Sequence, residues 1–523
     1  MPERPVLPLW AAVIAAAAGG FALDMSFPSL GVWPLAFVAV VLSLLSLVGR
    51  RIGGAVLVGV VFGAAFYFPH VSWAARFLGD TAFNWAPWAA LATVEAVLSG
   101  VAAIPLALAY RWIPRVRDTP AVRVVVLPLV VAGVWTLRED VLGSWPYGGF
   151  AWGRIGMTQS ESPLATLSSW VGVGGLTFLV ILLCAMTIEA VRLGVRADAP
   201  ARRRRALAAG PAALLVLLLV TPQFPTTDAG TITVGAVQGN GPAAYMDARD
   251  PYDVLNSQIA ATEPLRESET DLDVVLWPEG GVDSDPLYNE TTALSLDAVV
   301  RAFDAPLLMN AASARGGDPT SGDDPIYNTS MLWTEDGAVQ LHSKRNPVPF
   351  GEYVPDRPFF EALAPGLIGL IQREYTPGTD SPVFDVGGVG VGLAICFDVI
   401  DDDLIREGVD GGAQVFMFQT NNADFRGTDE NLQQLAFARM RAIETGRSVV
   451  NLSTTGTSQI IAPDGTTTEQ LPIDEAGAIV ADVELRDGTT AGVVVGPWIT
   501  AAMPLSLLAL AGAGVLARRR RRA

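Results

Sequence analysis

The chain has 523 residues, of which 50% are hydrophobic, and its mean hydropathy is +0.37. An apolar excess of this size argues against an ordinary soluble protein and indicates a polytopic membrane protein. Residues 230–494 are the exception, because they hold 42 acidic and 14 basic side chains, whereas the rest of the chain holds 11 and 21. Such acidity repels phosphate groups and argues against nucleic acid as a partner, although plain solubility accounts for most of it.

Eight apolar runs predict membrane-spanning helices, each of which needs about 20 mainly apolar residues. They lie at 6–23, 28–48, 53–69, 88–110, 121–137, 168–191, 206–222 and 495–517. Seven of them form a predicted membrane domain over 1–225, and the eighth precedes a basic tail at 518–523. Residues 73–90 are rich in Trp and Phe and predict an interfacial or re-entrant segment.

Arginine clusters predict the orientation of these helices. The clusters follow helices two, four, six and eight, at Arg50–Arg51, Arg111–Arg123, Arg192–Arg205 and Arg518–Arg522. The positive-inside rule therefore places both termini in the cytoplasm. Seven crossings then place residues 230–490 on the extracytoplasmic face.

Residues 230–490 alternate short β-rich runs with helical patterns, which predicts an α/β sheet covered by helices. The strand-like runs are Thr231–Gln238, Asp273–Trp277, Leu307–Ala311, 338–343, Val389–Ile395, Val415–Gln419, Ser448–Leu452 and Ser458–Ile461. The helical patterns cover 251–262, 291–303 and 429–445. The Asp- and Gly-rich stretches 313–325 and 401–412 are interpreted as loops.

Cysteine and histidine are scarce in this chain. Cys184 and Cys396 are too few for a disulfide framework, and His70 and His342 are too few for an ordinary zinc site. No metal and no cofactor are expected.

Three chemically useful side chains follow apolar strands: Glu279, Lys344 and Cys396. Lys344 is the single lysine of the chain, beside thirty-four arginines. Ligands bind outside the carboxyl ends of strands in open α/β sheets, so the three groups are expected to converge. Each also has a simpler interpretation, as a surface turn residue, a solvated cation or a buried small hydrophobe. Their joint occurrence in this order favours a site.

The motifs around these residues resemble the nitrilase superfamily, and most closely its membrane-bound branch, the apolipoprotein N-acyltransferases. The motifs are Ala236–Asn240, Trp277-Pro278-Glu279, Lys344–Pro355, Cys396, Thr420–Ala423, Ala438–Glu444 and, in the membrane part, Gly149–Trp152. The resemblance implies an αββα sandwich carried by about eight membrane helices. It also implies the plasma membrane of a bacterium.

Carried over to these positions, the resemblance implies that Cys396 is the nucleophile, Glu279 its general base and Lys344 the group that stabilises the oxyanion. The backbone N–H of Phe397 is a second candidate for the oxyanion, and Glu352 is expected to orient Lys344 or shuttle protons. This division is chemically sound, because a thiol near neutral pH is only a few per cent thiolate and benefits from a base and a nearby cation.

Two positions depart from the family pattern. The family commonly has Cys-Tyr-Glu where this chain has Cys396-Phe397-Asp398, which makes Asp398 a supporting candidate. It often has Thr-Asn-Asp-Ala-Trp-Phe where this chain has Thr420–Phe425, so that Asp424 replaces an aromatic residue. The second change affects the handling of acyl chains more than the chemistry.

The activity that the resemblance implies is transfer of an acyl chain from a phospholipid, through a thioester on Cys396, to the α-amino group of the N-terminal diacylglyceryl-cysteine of a lipoprotein. The apolar run Phe359–Ile371 is expected to form a mobile loop that contacts these lipids, or else an ordinary amphipathic helix packed on the domain. A monomer is expected, because membrane contact would replace the dimerisation usual among soluble relatives. Two alternatives are a membrane-tethered amidase or nitrilase acting on a small substrate, and a non-catalytic scaffold for a polyprenol-dependent glycosyltransferase.

Overall fold

The computed structural model describes residues 4–79, 81–196, 200–268, 270–321, 324–372 and 374–522. The contacts within the chain divide it into two compact units. The helical unit comprises Met1–Ala75, Trp85–Phe224 and Ala491–Ala523, and the sandwich unit comprises Arg76–Asn84 and Pro225–Thr490.

Helices occupy most of the helical unit and alternate with strands in the sandwich unit. In chain order they are α1 (Leu9–Asp24), α2 (Leu35–Leu47), α3 (Ile52–His70), α4 (Trp85–Val116), α5 (Leu127–Ser144), α6 (Ser168–Arg196), α7 (Ala201–Val220), α8 (Asp253–Thr262), α9 (Glu290–Phe303), α10 (Arg357–Leu363), α11 (Pro365–Ile368), α12 (Asp402–Asp410), α13 (Glu430–Thr445), α14 (Ala491–Ala502) and α15 (Pro504–Arg522).

A helix lies in each of the eight segments predicted to span a membrane, and the last segment is divided between α14 and α15. In the described part of the chain, four helical stretches are long and apolar enough to cross a bilayer: Ile52–His70, Trp85–Val116, Ala165–Val195 and Ala491–Arg520. Helices α1 and α2 are apolar but shorter. Charged residues interrupt α5 at 138–140 and the start of α7 at 202–205. Eight spans therefore stay a prediction.

The sandwich unit contains two six-stranded sheets. The strands are β1 (Thr227–Gln238), β2 (Val274–Leu276), β3 (Leu307–Ser313), β4 (Tyr327–Thr334), β5 (Gly337–Ser343), β6 (Val383–Val386), β7 (Val389–Ile395), β8 (Val415–Thr420), β9 (Val449–Ser453), β10 (Gln459–Ile461), β11 (Thr467–Gln470) and β12 (Gly477–Asp487). One sheet has the order β12-β1-β2-β3-β4-β5, and the other has the order β11-β10-β9-β8-β7-β6.

The two sheets pack face to face over an apolar core. Alternate residues of β1, such as Val234 and Ala236, point into this core, as expected from the two-residue period of a strand. From the second sheet they meet residues such as Leu393 and Met417. Helices α8 and α9 cover the outer face of the first sheet, while α12 packs on β7 and α13 on β9. The predicted αββα sandwich is confirmed.

The parallel strands of the two sheets bring their carboxyl ends to one edge. Strands β1, β2 and β3 run parallel in the first sheet, and β7, β8 and β9 do so in the second. Hydrogen bonds join the sheets there; for example, Gln419 donates to the Trp277 carbonyl at 2.6 Å and the Thr454 hydroxyl donates to the Glu279 carbonyl at 2.8 Å. Residues that follow β2, β7 and β8 are therefore brought close together.

One loop prediction is wrong. The stretch 401–412 contains helix α12, although Asp and Gly dominate its composition. The Asp401 side chain caps this helix by accepting from the backbone N–H groups of Asp403 and Leu404 at 2.8 and 3.3 Å. Acidic residues in a first turn also favour a helix N-terminus through its dipole. The acidic run therefore starts a helix. Strands β4, β6, β11 and β12 were not predicted.

Candidate active site

Cys396 lies at the turn where β7 ends and a short 3₁₀ helix, Cys396–Ile400, begins. Its backbone φ is +50°, in the left-handed region that residues with a side chain rarely adopt. Strained backbone of this kind is concentrated at functional sites, where it presents a side chain in a fixed direction. The thiol is thereby held at the carboxyl edge of the sheet, where Cys396 is partly exposed.

Lys344 follows β5 and is 1% exposed. Its Nζ lies 2.8 Å from a carboxylate oxygen of Glu352 and 3.3 Å from one of Glu279. Burial alone would lower the pKa of Lys344, but the two carboxylates outweigh burial and hold the pKa well above its ordinary value. The lone lysine is therefore a permanent cation that is shielded from water.

Glu279 follows β2 and is also buried. Its Oε1 accepts hydrogen bonds from the Asn328 amide at 2.7 Å and from Lys344 at 3.3 Å. Burial raises the pKa of this carboxyl group, and Glu352 raises it further, whereas Lys344 and Asn328 oppose the shift. A carboxylate with a raised pKa is a stronger base, which suits it to remove a proton from a thiol.

Glu352 lies in the loop that follows Lys344. One oxygen of its carboxylate accepts from Lys344 and the other accepts from the backbone N–H of Val348, at 2.8 Å in each case. The same loop turns sharply at Phe350, where φ is +61°. Glu352 therefore fixes both the lysine and the loop that carries it.

The Cys396 thiol responds to these charges. Burial and the negative charge of Glu279 raise the pKa of the thiol, and Lys344 opposes the shift. Cys396 is thus a thiol at rest that needs a base to become a nucleophile. In the structure, Lys344 contacts both Glu279 and Glu352. The charges of these three groups act on the pKa of the Cys396 thiol.

The comparisons with known proteins match both units of this chain. Residues 19–186 match the apolipoprotein N-acyltransferase N-terminal domain, and residues 233–491 match the carbon-nitrogen hydrolase family. An apolipoprotein N-acyltransferase of Mycolicibacterium smegmatis is 32% identical over 98% of this chain and 86% of that protein. The chain belongs to the apolipoprotein N-acyltransferase family. The resemblance seen in the motifs is confirmed.

A second curated relative agrees with this assignment. The apolipoprotein N-acyltransferase of Azotobacter vinelandii is 28% identical over 99% of this chain and 97% of that protein. Among solved structures, Saccharomyces cerevisiae Nit3, a member of branch 10 of the nitrilase superfamily, is 19% identical with a TM-score of 0.37. That match covers 49% of this chain and 91% of Nit3. Membership of this family and the long apolar helices together confirm the membrane character of the chain.

Asp398 is where the chain departs from the Glu that is common in apolipoprotein N-acyltransferases. It is fully buried, and its carboxylate accepts from the backbone N–H groups of Arg345 and Asn346 at 3.1 and 2.8 Å. Burial raises the pKa of Asp398 to about 6, although Lys344 and these two N–H groups lower it. The side chain of Asp398, shorter than that of Glu, therefore connects the loop that carries Lys344 to the turn that carries Cys396. Phe397, between Cys396 and Asp398, lies in the first turn of the 3₁₀ helix.

Asp424 is the second departure from the family pattern. Its carboxylate accepts from the backbone N–H of Tyr245 at 2.7 Å. The Tyr245 ring stacks on Phe77 with centroids 5.8 Å apart, and its hydroxyl accepts from the Gln372 backbone N–H at 2.9 Å. Asp424 thus positions an aromatic side chain in the sandwich unit.

The apolar run Phe359–Ile371 forms α10 and α11 in place of an open loop. Ile368 and Ile371 pack with Val354 on the sandwich unit, whereas Phe359 is 64% exposed and Leu363 71% exposed. The helical interpretation is therefore confirmed, while the exposed Phe359 and Leu363 present large apolar groups to their surroundings.

Sequence reasoning missed three polar residues of the site: Asn328, Asn422 and Gln434. Asn328 holds Glu279, and Gln434 donates its side-chain N–H to the Cys396 sulfur at 3.5 Å. Asn422 belongs to a quoted motif but received no role. Amide side chains carry no charge and do not titrate, so spacing and composition give no signal for them.

Proposed function

We propose that this protein transfers an acyl chain from a membrane phospholipid to the α-amino group of the diacylglyceryl-cysteine at the N-terminus of a lipoprotein, with Cys396 as the nucleophile. The proposal rests on one observation above the others. In a chain that aligns over 98% of its length with an apolipoprotein N-acyltransferase, the single lysine is buried between Glu279 and Glu352 within electrostatic reach of Cys396.

In the first half-reaction, Glu279 removes the thiol proton and the Cys396 sulfur attacks an ester carbonyl of the phospholipid. The carbonyl oxygen becomes an oxyanion, which Lys344 and the Phe397 backbone N–H stabilise. Donors that meet a developing oxyanion contribute about 3–4 kcal/mol each. The intermediate then expels the lysophospholipid alkoxide, which takes the proton held by Glu279. A thioester remains on Cys396.

In the second half-reaction, the α-amino group of the lipoprotein attacks the thioester carbonyl. The same two donors meet the new oxyanion, and Glu279 accepts a proton from the attacking nitrogen. Collapse forms the amide bond and releases the Cys396 thiolate, which regains the proton. The scheme is ping-pong, because the first product leaves before the acceptor reacts.

Lys344 acts as a cation in this scheme. Its raised pKa keeps the proton on the amine, so that Glu279 is the base. A compact ammonium group fits between two carboxylates and a tetrahedral carbon, whereas the broad fork of arginine does not. Glu352 holds the ammonium group in place.

The proposed placement follows from the substrates, since both reside in the bilayer. Eight spans with both termini in the cytoplasm place the sandwich unit on the extracytoplasmic face of a bacterial plasma membrane. The exposed apolar side chains of α10, Phe359 and Leu363, suit contact with lipid there. We propose that the protein acts as a monomer.

The test is mass spectrometry of the full-length protein after incubation with vesicles of bacterial phospholipids. We expect an acyl adduct on Cys396 that moves to the amino group of a diacylated lipopeptide added afterwards. Cys184, buried in the helical unit, supplies the matched control. Cys184→Ser retains the adduct and Cys396→Ala loses it.

Three outcomes separate this function from its alternatives. An adduct formed only from a small soluble amide would indicate an amidase. No adduct, together with co-purification of a glycosyltransferase, would indicate a scaffold. Cells with Cys396→Ala that still make triacylated lipoproteins would refute the proposal.

A further inference from the structure

A second network of side chains reaches the Cys396 sulfur from α13 and the end of β8. Gln434 donates to the sulfur through Nε2 at 3.5 Å. The Gln434 Oε1 accepts from the Asn422 amide at 2.7 Å, and that amide also donates to Glu430 at 2.7 Å. Asn422, Glu430 and Gln434 are each at most 3% exposed. The network is thus almost closed to water.

Local structure explains why these residues meet. Asn422 lies two residues after β8, and Glu430 is the first residue of α13. Gln434 follows Glu430 by four residues, so both side chains lie on the same face of the helix. That face is directed at the turn that carries Cys396, because the Gln434 amide reaches its sulfur.

The direction of each amide is determined by its partners. The Asn422 carbonyl oxygen accepts from the hydroxyls of Ser453 at 2.6 Å and Thr420 at 3.3 Å. Its NH₂ group therefore faces α13 and supplies one hydrogen to Glu430 and one to Gln434. Because the oxygen of Gln434 is occupied in this way, its NH₂ group is directed at the sulfur. An N–H donor favours a negatively charged sulfur over a neutral one.

We infer that Gln434 is a further catalytic residue, which stabilises the Cys396 thiolate by donating an N–H to it, and that Asn422 and Glu430 are positioning residues that fix the direction of this amide. The inference deepens the proposed function and rests on Cys396 being the nucleophile. The thiolate forms when Glu279 takes the thiol proton and forms again when the thioester breaks. Gln434 contacts the sulfur at both stages.

The charges around the network are consistent with this role. The charges of Glu279, Lys344 and Glu352 act on the Cys396 thiol, and so does Glu430 when it is ionised. Burial raises the pKa of Glu430 to about 8, the negative charges of Glu279 and Asp424 add to the shift, and the Asn422 hydrogen bond opposes it. Glu430 is therefore mostly uncharged at pH 7 and accepts from Asn422 without adding another negative charge near the sulfur.

The experiment measures how fast iodoacetamide alkylates Cys396 as a function of pH, in the full-length protein carrying Cys184→Ser. The Cys396 peptide is quantified by mass spectrometry. Gln434→Met keeps the length of the side chain and removes the donor. We expect the midpoint of the alkylation profile to move up by about one pH unit, which is roughly a tenfold slower reaction at pH 7.

Asn422→Leu provides a second variant that leaves α13 unchanged. A leucine at 422 has no hydrogen to donate and adds no charge, so the direction of the Gln434 amide is no longer fixed. We expect the midpoint to rise here too. Gln433→Met is the matched control, because Gln433 is a buried neighbour on the same helix and should leave the midpoint unchanged.

The results separate this inference from the proposed function, because alkylation requires no acyl transfer. A wild-type midpoint in folded Gln434→Met or Asn422→Leu, or the same shift in Gln433→Met, would overturn the role of Gln434. An acyl adduct on the wild type together with that result leaves the transferase intact. A shifted midpoint without any acyl adduct supports the sulfur contact and refutes the transferase.

Discussion

Two networks of opposite character converge on Cys396. One is ionic and joins the ammonium group of Lys344 to the carboxylates of Glu279 and Glu352. The other is built from the neutral amides of Asn422 and Gln434. Ions supply a strong field where charge develops, but each is costly to leave unpaired in the interior. Amides produce a weaker electric field, but their hydrogen-bond donors and acceptors fix the direction of each side chain. We therefore expect the ionic network to stabilise the oxyanion and the amide network to stabilise the Cys396 thiolate.

Lys344→Met is expected to have the largest effect, because it leaves Glu279 and Glu352 buried together without a cation. Breaking a buried ion pair from one side costs about 3–5 kcal/mol in the free energy of unfolding. We expect acyl transfer to be undetectable and the unfolding temperature to fall, which differential scanning fluorimetry and a lipopeptide assay measure. Retained activity would show that the ionic network is only structural.

Lys344→Arg is expected to separate charge from shape. The cation and its ion pairs remain, so folding is preserved, but the wider guanidinium group does not fit the oxyanion site. We expect acyl transfer to fall about 10²–10³-fold, the loss typical of one missing oxyanion donor. Steady-state kinetics and the unfolding temperature report the two effects separately. Full activity would mean that position 344 needs only a positive charge.

Asp398→Asn tests the connection between the loop of Lys344 and the turn of Cys396. An asparagine has one acceptor oxygen, so one of the backbone N–H groups of Arg345 and Asn346 loses its partner. A buried unsatisfied donor costs about 1–3 kcal/mol. We expect lower thermal stability and a smaller loss of activity than in either Lys344 variant. Asp403→Asn, an exposed change on α12, is the control and should behave as the wild type.

Glu430→Gln is expected to have the smallest effect on acyl transfer and a distinctive pH dependence of stability. Because the pKa of Glu430 is raised from 4.5 to about 8, the folded wild type holds a proton that the unfolded chain releases between these values. Wild-type stability contributed by this group is therefore lost as the pH rises from about 4.5 to 8. The variant has no carboxyl group at position 430 and does not lose this stability. The difference in unfolding temperature, variant minus wild type, should therefore increase by several degrees from pH 5 to pH 8.5. An equal difference at both pH values would contradict a raised pKa.

The charged network could be predicted from the sequence, whereas the neutral one could not. Lys344 was conspicuous as the single lysine, and Glu279 and Cys396 followed apolar runs that are strands β2 and β7 in the structure. A position at the end of an apolar run and a residue type that occurs only once can both be recognised in the sequence itself. The roles assigned to these residues stay proposals.

The neutral network depends on three-dimensional contacts that leave no pattern in the chain. Helix α13 was predicted at 429–445 from its apolar residues, but Gln433 and Gln434 are just as buried. Asn328 lies on β4, an antiparallel strand that was not predicted, and it reaches Glu279 across the sheet edge. Burial of an amide is decided by its partners, and these come from distant parts of the sequence.

The short segment Arg76–Asn84 has a consequence for the biogenesis of the protein. It belongs to the sandwich unit, where Phe77 stacks on Tyr245, yet it is translated before α4–α7 and long before the strands. A fragment that begins at Pro225 would lack this aromatic partner and expose the Tyr245 ring. During synthesis, Phe77 can meet Tyr245 only after the residues between them, which include α4–α7, have been translated. The entropy cost of closing so long a loop rises only slowly with its length, so the delay is a matter of time more than of stability.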